Sequence, residues 1–250
     1  VGTDGAMRHA NVAFFVPHLG CPHRCSFCDQ KNISGSVRIS SPDEVAKTCA
    51  VAAQRLKDRN FPAERIDVIP NWYEDKGVLN TNRGQNPFRD ITKNRFTVSY
   101  FGNMGTMQDM QTILSAVRAL KDDPNVFFLF AGHGNKLETL QQTVRAENIE
   151  NIAIYPFLHG TDFENALAIS DCALVTLVAG STGLCCPSKT YSYMMQGIPL
   201  LAVMDEGDIV SDIEAGAGCW VRNGEGERLA EKIRMLKDSP ETVQTMRRVC

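Results

Sequence analysis

The sequence lacks long hydrophobic runs and a clear excess of charge of either sign. Its 250 residues carry 26 Lys and Arg against 29 Asp and Glu, which gives a formal net charge of −3. Surfaces that bind nucleic acid or anionic membranes are usually basic, so the composition argues against both partners. No uncharged apolar run reaches the length of a transmembrane helix, and the first residues do not form a secretory signal peptide. We therefore expect a cytoplasmic protein without a transmembrane segment.

The sequence does contain enough hydrophobic residues, 43%, to build a substantial core in one or two domains. It also has nine cysteines, an odd number in an otherwise ordinary cytosolic composition. This pattern favours free thiols or a metal site over a framework of disulfides.

The segment from Gly180 to Val203 has the pattern of a loop, a short helix and a buried strand. The unbroken apolar run Cys172–Val178 precedes it, and such runs are typical of strands that are covered on both faces of a parallel sheet. The predicted unit is therefore strand, loop, helix and strand. In open α/β sheets, ligands bind beyond the carboxyl ends of the strands, which is where this loop is expected to lie.

The start of the predicted helix has the chemistry to bind a phosphate. The first turn of a helix leaves backbone N–H groups without partners inside the helix, and the helix dipole favours an anion there. Lys189 adds a positive charge in the same turn. We therefore predict a diphosphate site that includes Gly183, Ser188 and Lys189. The alternative is an ordinary strand–helix crossover in which the lysine has no ligand.

The residues PSKTYSYMMQGIPLL, positions 187–201, resemble the donor-site segment of retaining glycosyltransferases of the GT-B architecture, family four. This resemblance implies a Rossmann-like parallel sheet with helices on both faces, and a nucleotide diphosphate sugar of the UDP or GDP type as the donor. It also implies that the departing phosphate is stabilised without a metal ion.

The sequence departs from this family at its paired glutamates, which fall on Leu184 and Ser192. The resemblance implies that the second glutamate accepts hydrogen bonds from the ribose hydroxyls. Because a hydrogen bond to a charged group contributes about 1.5–3 kcal/mol, Ser192 in its place is expected to weaken nucleotide binding about ten- to a hundredfold.

A second candidate turn follows the predicted strand Phe96–Phe101. Gly102, Asn103 and Gly105 lead from this strand into a predicted helix, Met107–Lys121. Glycines allow the backbone to approach a phosphate closely. The family has a similar turn at this position, so the resemblance implies that these residues bind the donor.

Phe157 and Leu158 follow the predicted strand Ile152–Tyr155. In the resembling enzymes the loop after this strand lies beside the nucleotide base, so both residues are candidates for base contact. The alternative is that they pack under the next helix, for which Thr161 is the predicted N-cap. We interpret His133 as a loop residue and not as a catalytic base, because no acceptor is placed within its reach.

The rest of this part of the sequence continues the alternation of strands and helices. The pattern predicts a surface loop at Asn80–Asn94, strands at Val126–Phe130 and Gly218–Val221, and helices at Lys136–Glu147, Asp162–Ser170, Asp208–Ala215 and Glu225–Lys237.

The N-terminal part has a different motif. A predicted strand, Asn11–Val16, leads into Cys21, Cys25 and Cys28, spaced C-x-x-x-C-x-x-C. Three thiolates at this spacing can each bind one iron of a 4Fe-4S cluster and leave the fourth iron open. The alternatives are a zinc site with His23 as the fourth ligand, or thiols without a metal.

Residues 7–57 resemble the opening of radical SAM enzymes. The predicted helix Pro42–Lys57, which starts with a capping box, matches the first helix of their barrel. The resemblance implies that S-adenosylmethionine binds at the open iron. The resemblance to radical SAM enzymes ends after residue 57. In those enzymes a glycine-rich segment should follow, but this sequence has no Gly-Gly dipeptide. Residues 61–76 instead resemble the start of the glycosyltransferase donor domain.

We therefore predict two units. Residues 1–60 form a small β-loop-α segment like that of radical SAM enzymes, and residues 61–250 form a nucleotide-sugar-binding domain. The predicted function is the donor-binding half of a retaining hexosyltransferase, weak or inactive alone because no acceptor domain is recognised. An acceptor domain would then be a separate partner. The alternatives are a radical SAM iron–sulfur protein, or a gene-fusion artefact without a function of its own.

Overall fold

A computed structural model describes Gln54, residues 83–182 and residues 187–250. Strands and helices alternate along the two long ranges. The strands are β1 Phe96–Asn103, β2 Val126–His133, β3 Ile152–Tyr155, β4 Cys172–Thr176, β5 Leu200–Val203 and β6 Gly218–Val221. The α-helices are α1 Arg89–Thr92, α2 Met110–Ala119, α3 Leu137–Ala146, α4 Gly160–Ile169, α5 Lys189–Met195, α6 Asp208–Asp212, α7 Gly226–Asp238 and α8 Pro240–Val249.

The six strands form one parallel sheet in the order β3-β2-β1-β4-β5-β6. This is the doubly wound order in which the chain reverses its direction of travel across the sheet between β1 and β4. The predicted Rossmann-like fold is therefore confirmed. Loops at the carboxyl ends of β1 and β4 diverge at this reversal, and the divergence leaves a crevice.

The core consists of two layers, one on each face of the sheet. Successive strand residues point to opposite faces, so Tyr100 and Phe130 belong to one layer while Phe101 and Leu129 belong to the other. Helices α2, α3, α7 and α8 cover the first face, and α4, α5 and α6 cover the second. Each large side chain buried in this way contributes about 1.5–3 kcal/mol to folding.

Gly132 allows β1 and β2 to approach each other closely at their carboxyl ends. It pairs with Gly102 in the parallel ladder. A Cβ atom at position 132 would lie 1.8 Å from the Gly102 carbonyl oxygen, so a larger residue would push the two strands apart. The backbone geometry at the floor of the crevice therefore depends on this glycine.

Two predicted helix starts are wrong. Helix α2 begins at Met110 and not at Met107, because the Asp109 side chain accepts a hydrogen bond from the Thr112 amide at 3.1 Å and so caps the helix. Helix α4 begins at Gly160, with His159 as its N-cap, so Thr161 lies inside the helix instead of capping it.

The predicted loop Asn80–Asn94 is not wholly irregular. From residue 83 onward it contains a 3₁₀ turn, Arg83–Gln85, and the short helix α1. Helix α8 was not predicted at all, although Pro240 occupies its first turn, a position that proline favours.

Several predicted features lie outside the described residues: the strand at residues 11–16, the helix at residues 42–57 except for Gln54, and the segment at residues 61–76. Within the described ranges, every helix is too short or too polar to cross a bilayer.

Candidate functional site

A cleft with an empty volume of about 360 Å³, including its open mouth, lies at the carboxyl ends of β1 and β2, between α4 and α5. Five of the residues predicted to bind the donor line it: Gly102, Phe157, Leu158, Lys189 and Ser192. They come from the end of β1, the loop after β3 and helix α5, which the order of the strands in the sheet brings together. This is the position at which doubly wound sheets bind ligands.

The other predicted residues do not line the cleft. Asn103, Gly105 and Ser188 are absent from its walls, and Gly183 lies outside the described residues. Four lining residues were not singled out from the sequence: Phe101, Ala131, Phe163 and Tyr193. Tyr193 follows Lys189 by four residues, which is the spacing of neighbours on one helix face, so this residue was predictable.

Lys189 is the one cationic side chain among the cleft-lining residues that the structure describes. It is 9% exposed, and its Nζ lies 3.7 Å from the centroid of the Tyr100 ring. The amine has no hydrogen-bond partner within the described part of the chain. Burial lowers the pKa of Lys189 to about 7.

The Tyr100 ring does not compensate for the burial of this amine. An ammonium over an aromatic face gains about 2 kcal/mol when it is desolvated. Removing an ammonium from water costs several kcal/mol unless acceptors replace the water. The lysine is therefore placed where a charge is unfavourable until a ligand supplies acceptors.

Two hydroxyl groups close to Lys189 in sequence are also buried and have no hydrogen-bond partner among the described residues. These are Thr190 Oγ1 and Ser192 Oγ, both on α5. Leaving such a group unpaired costs about 1–3 kcal/mol, and most buried polar atoms in native proteins are paired. Three unpaired atoms on one short helix are therefore typical of a site that a ligand completes.

The predicted role of the free helix amides needs correction. Helix α5 has only seven residues. The Thr190 amide donates to the Pro187 carbonyl at 3.0 Å, and the Tyr191 amide donates to the Ser188 carbonyl at 3.2 Å. Because the turn tightens in this way, those two N–H groups are not free for a phosphate, whereas the Lys189 amine is a charged donor without a partner among the described residues.

The turn after β1 also differs from the prediction. The Gly105 amide donates to Gln108 Oε1 at 3.1 Å, and the Met104 amide donates to the His133 carbonyl at 2.6 Å. The Tyr100 hydroxyl donates to the Asn103 carbonyl at 2.6 Å. These bonds fix the turn, and of its predicted residues only Gly102 lines the cleft.

Tyr193 connects α5 to the end of β1. Its hydroxyl accepts a hydrogen bond from the Phe101 amide at 2.9 Å and donates to the Phe101 carbonyl at 3.3 Å. Burial raises the pKa of Tyr193, so the group remains a neutral phenol. This contact fixes the helix that carries Lys189 relative to the sheet.

Aromatic rings form the opposite wall of the cleft. The Phe157 ring lies 4.7 Å from the His159 ring and 5.5 Å from the His133 ring, measured between centroids. His133 is the last residue of β2 and is exposed. Phe163 packs edge-on against Phe101 at 5.7 Å. The wall therefore offers flat apolar surface opposite the lysine.

The predicted metal ligands, Cys21, Cys25 and Cys28, lie outside the described residues. Within the described ranges, no three His, Cys, Asp or Glu side chains are grouped to hold a metal ion. Three cysteines in those ranges, Cys172, Cys219 and Cys250, are buried free thiols.

The sequence model of the family "Glycosyl transferases group 1" matches residues 84–248. The chain belongs to this family. The chain is 34% identical over 167 residues to "Probable glycosyltransferase WbjE" of Pseudomonas aeruginosa, an alignment that covers 65% of this chain and 42% of that protein. The chain thus spans about two fifths of the length of this relative.

Two solved structures share the fold of the glycosyltransferase domain. The C-terminal domain of the group 1 glycosyl transferase LpcC from Francisella tularensis has a TM-score of 0.53 and 16% identity, over 69% of this chain and 90% of that one. Anabaena HepE, solved in complex with UDP and glucose, has a TM-score of 0.61 and 18% identity, over 78% of this chain and 53% of that one.

The predicted glycosyltransferase resemblance is therefore confirmed where the family matches, at residues 84–248. The matched range does not include the cysteine motif. The radical SAM resemblance of residues 7–57, and the domain boundary near residue 60, stay predictions.

Proposed function

We propose that the glycosyltransferase domain binds the nucleotide diphosphate sugar donor in the cleft at the carboxyl edge of the sheet. The observation that carries this proposal is the buried amine of Lys189, which lines the cleft and has no partner among the described residues. Phosphate oxygens are anionic acceptors, and lysine binds phosphate as a point charge. A diphosphate would supply the hydrogen bonds that the protein does not.

The arrangement of the walls suggests how the donor lies. With the diphosphate beside Lys189, the ribose is near Ser192 and the base lies against Phe157 and Leu158. The apolar faces of these side chains suit a flat base, because aromatic stacking tolerates any base. The complex of HepE with UDP and glucose supports a donor of the UDP type.

Lys189 would also contribute to the chemical step. When the bond between the sugar and the diphosphate breaks, negative charge develops on the departing phosphate oxygen. A cation already placed at that oxygen stabilises the transition state more than the ground state. We propose transfer of a hexose with retention of its anomeric configuration. We place acceptor recognition outside this domain, since the chain spans about two fifths of its relative WbjE.

Isothermal titration calorimetry tests donor binding. We expect UDP or GDP to bind the full chain saturably, and Lys189→Met to weaken that binding about 10- to 150-fold, the loss of one charged hydrogen bond. Methionine keeps the length of the side chain without its charge.

Lys136→Met is the matched control. Lys136 lies at the same edge of the sheet, but its Nζ donates to the Gln108 carbonyl at 2.7 Å and the residue does not line the cleft. We expect this variant to bind within about twofold of wild type. No saturable binding of either nucleotide, or equal effects of the two substitutions, would contradict the proposal.

The predicted iron–sulfur cluster at Cys21, Cys25 and Cys28 needs a separate experiment. Anaerobic reconstitution with iron and sulfide should give a brown protein that cleaves S-adenosylmethionine reductively. A protein that stays colourless would contradict this prediction and leave the donor site unaffected.

A further inference from the structure

We propose that, at pH 8, the empty cleft holds Lys189 as a neutral amine, and that this amine takes up a proton from solvent when a diphosphate enters. The inference rests on the proposed function and adds a proton linkage to it. One N–H bond forms on Nζ, buffer supplies the proton, and no other covalent bond changes.

The first observation is the absence of an acceptor for an ammonium group. Nζ of Lys189 has no hydrogen-bond partner among the described residues, and none of the described cleft-lining side chains is a carboxylate. The sequence also contains no Asp or Glu from Cys172 to Met204, which includes the whole loop before α5. A buried charge without a counter-ion or acceptors is unstable and neutralises.

The second observation concerns the titratable groups on the elements around Lys189. Tyr100 on β1 and Tyr193 on α5 are phenols whose pKa values burial raises, so neither supplies a negative charge. His133 at the end of β2 is exposed. On α3, Lys136 adds only a positive charge and is bonded to a backbone carbonyl.

Three acidic side chains on neighbouring elements at this edge are either hydrogen-bonded within the protein or exposed. Asp109 accepts from Thr112 and Asn223, and Asp205 accepts from the Gly180 amide at 2.6 Å. Asp162, in the first turn of α4, is exposed. Burial lowers the pKa of Lys189 to about 7, and no charge in the described part of the chain opposes this shift.

A diphosphate reverses this balance. It brings negative charge and several acceptor oxygens to an amine that has no hydrogen-bond partner among the described residues, and both favour the ammonium form. The protein therefore binds the anion and a proton together. If the diphosphate bound without the proton, its negative charge would lie beside a neutral amine and would gain no ion pair.

Calorimetry of UDP binding at pH 8, in HEPES and in Tris, measures the proton count, because the two buffers release protons with different enthalpies. The terminal phosphate of UDP has already lost its proton at this pH, since such groups titrate near pH 6. We expect an uptake of about 0.9 proton per UDP, the neutral fraction of a group that titrates near pH 7. The dissociation constant should rise about tenfold between pH 8 and pH 9.

Lys189→Arg is the informative variant, because a guanidinium stays charged at these pH values. It should bind UDP without proton uptake and with an affinity independent of pH. If arginine prevents folding, Lys189→Met replaces it, and its residual binding should take up no proton. The control variant Lys136→Met should take up as many protons per bound UDP as wild type.

The possible outcomes separate the two proposals. UDP binding with an uptake below about 0.2 proton, or uptake that persists in Lys189→Arg, overturns the proton linkage and leaves donor binding standing. The absence of UDP and GDP binding overturns the proposed function and the linkage with it.

Discussion

The two edges of the sheet differ in whether the protein itself supplies partners for their buried charged groups. At the carboxyl edge, Lys189 Nζ, Thr190 Oγ1 and Ser192 Oγ are buried without partners in the described part of the chain. At the amino edge, the Asp171 carboxylate accepts from the Thr97 amide at 2.9 Å and from Arg83 at 2.8 Å. The sheet therefore has a carboxylate at its amino edge that is paired within the protein, and an amine at its carboxyl edge that has no partner among the described residues.

The amino edge is also connected across long distances in sequence. Arg247, from the last helix, donates to the Ser170 carbonyl at 3.0 Å and lies 3.6 Å from Asp171. Arg83 donates to the carbonyls of Ile169 and Ser170. These bonds join Arg83 and the helix α8 to the turn before β4. We infer that the amino edge determines stability and the carboxyl edge determines binding.

Asp171→Ala should give the largest effect. It removes the acceptor of the Thr97 amide and the counter-ion of two arginines, and breaking such a buried pair costs 3–5 kcal/mol. Because the Arg83 side chain is 48% exposed and Asp171 17%, we expect about 2–4 kcal/mol less free energy of unfolding in urea. UDP affinity of the folded fraction should not change. A loss of affinity with unchanged stability would reverse the assignment of the two edges.

The pH dependence of stability should differ between wild type and Lys189→Met. The pKa of Lys189 is lowered on folding to about 7, so the unfolded chain binds more protons between pH 7 and pH 10. The stability of wild type relative to the variant should therefore rise with pH in this window, by about 1 kcal/mol per unit. Urea unfolding of both proteins at pH 7, 8 and 9 measures this, and a constant difference would contradict it.

Tyr193→Phe tests the hydrogen bond that connects α5 to the end of β1. The substitution leaves the buried Phe101 amide without its hydroxyl partner, which costs about 1–2 kcal/mol of stability. Because the contact fixes the helix that carries Lys189, UDP affinity should fall as well. Equal UDP affinity in the variant would show that the helix keeps its position without this bond.

A pair of isosteric substitutions should show opposite signs. Thr190 and Thr97 are each 1% exposed. Thr190→Val removes an unpartnered hydroxyl and should stabilise the protein by up to about 1 kcal/mol, whereas Thr97→Val removes a bond to the Arg95 carbonyl and should destabilise it by a similar amount. Thermal unfolding of both variants decides this. If both substitutions changed the unfolding temperature in the same direction, the proposed difference between the two edges of the sheet would be wrong.

The sequence was sufficient to predict the sheet and the position of Lys189. Apolar runs such as Cys172–Thr176, alternating with amphipathic helices, predict a parallel sheet independently of the conformations of the loops. The donor-site resemblance then placed the lysine at the correct edge. These features depend on residues that are close in sequence.

What could not be predicted depends on contacts between distant residues and on hydrogen-bond geometry. Tyr193 bonds to Phe101, 92 positions earlier. The Thr190 amide donates to the Pro187 carbonyl, three residues earlier, which makes the first turn tighter than a regular α-helical turn. Residue types alone do not determine this geometry. The partnerless state of the Lys189 amine likewise follows only from the surroundings that folding assembles.

Thermal unfolding of wild type and Lys189→Met, each with and without saturating UDP, tests whether the buried Lys189 amine is there to bind the donor. Without ligand, we expect the variant to be at least as stable as wild type, because it no longer buries an unpartnered amine. With UDP, wild type should become the more stable of the two, since only it binds the nucleotide tightly. A variant that is less stable without ligand, and that UDP stabilises as much as wild type, would contradict the account.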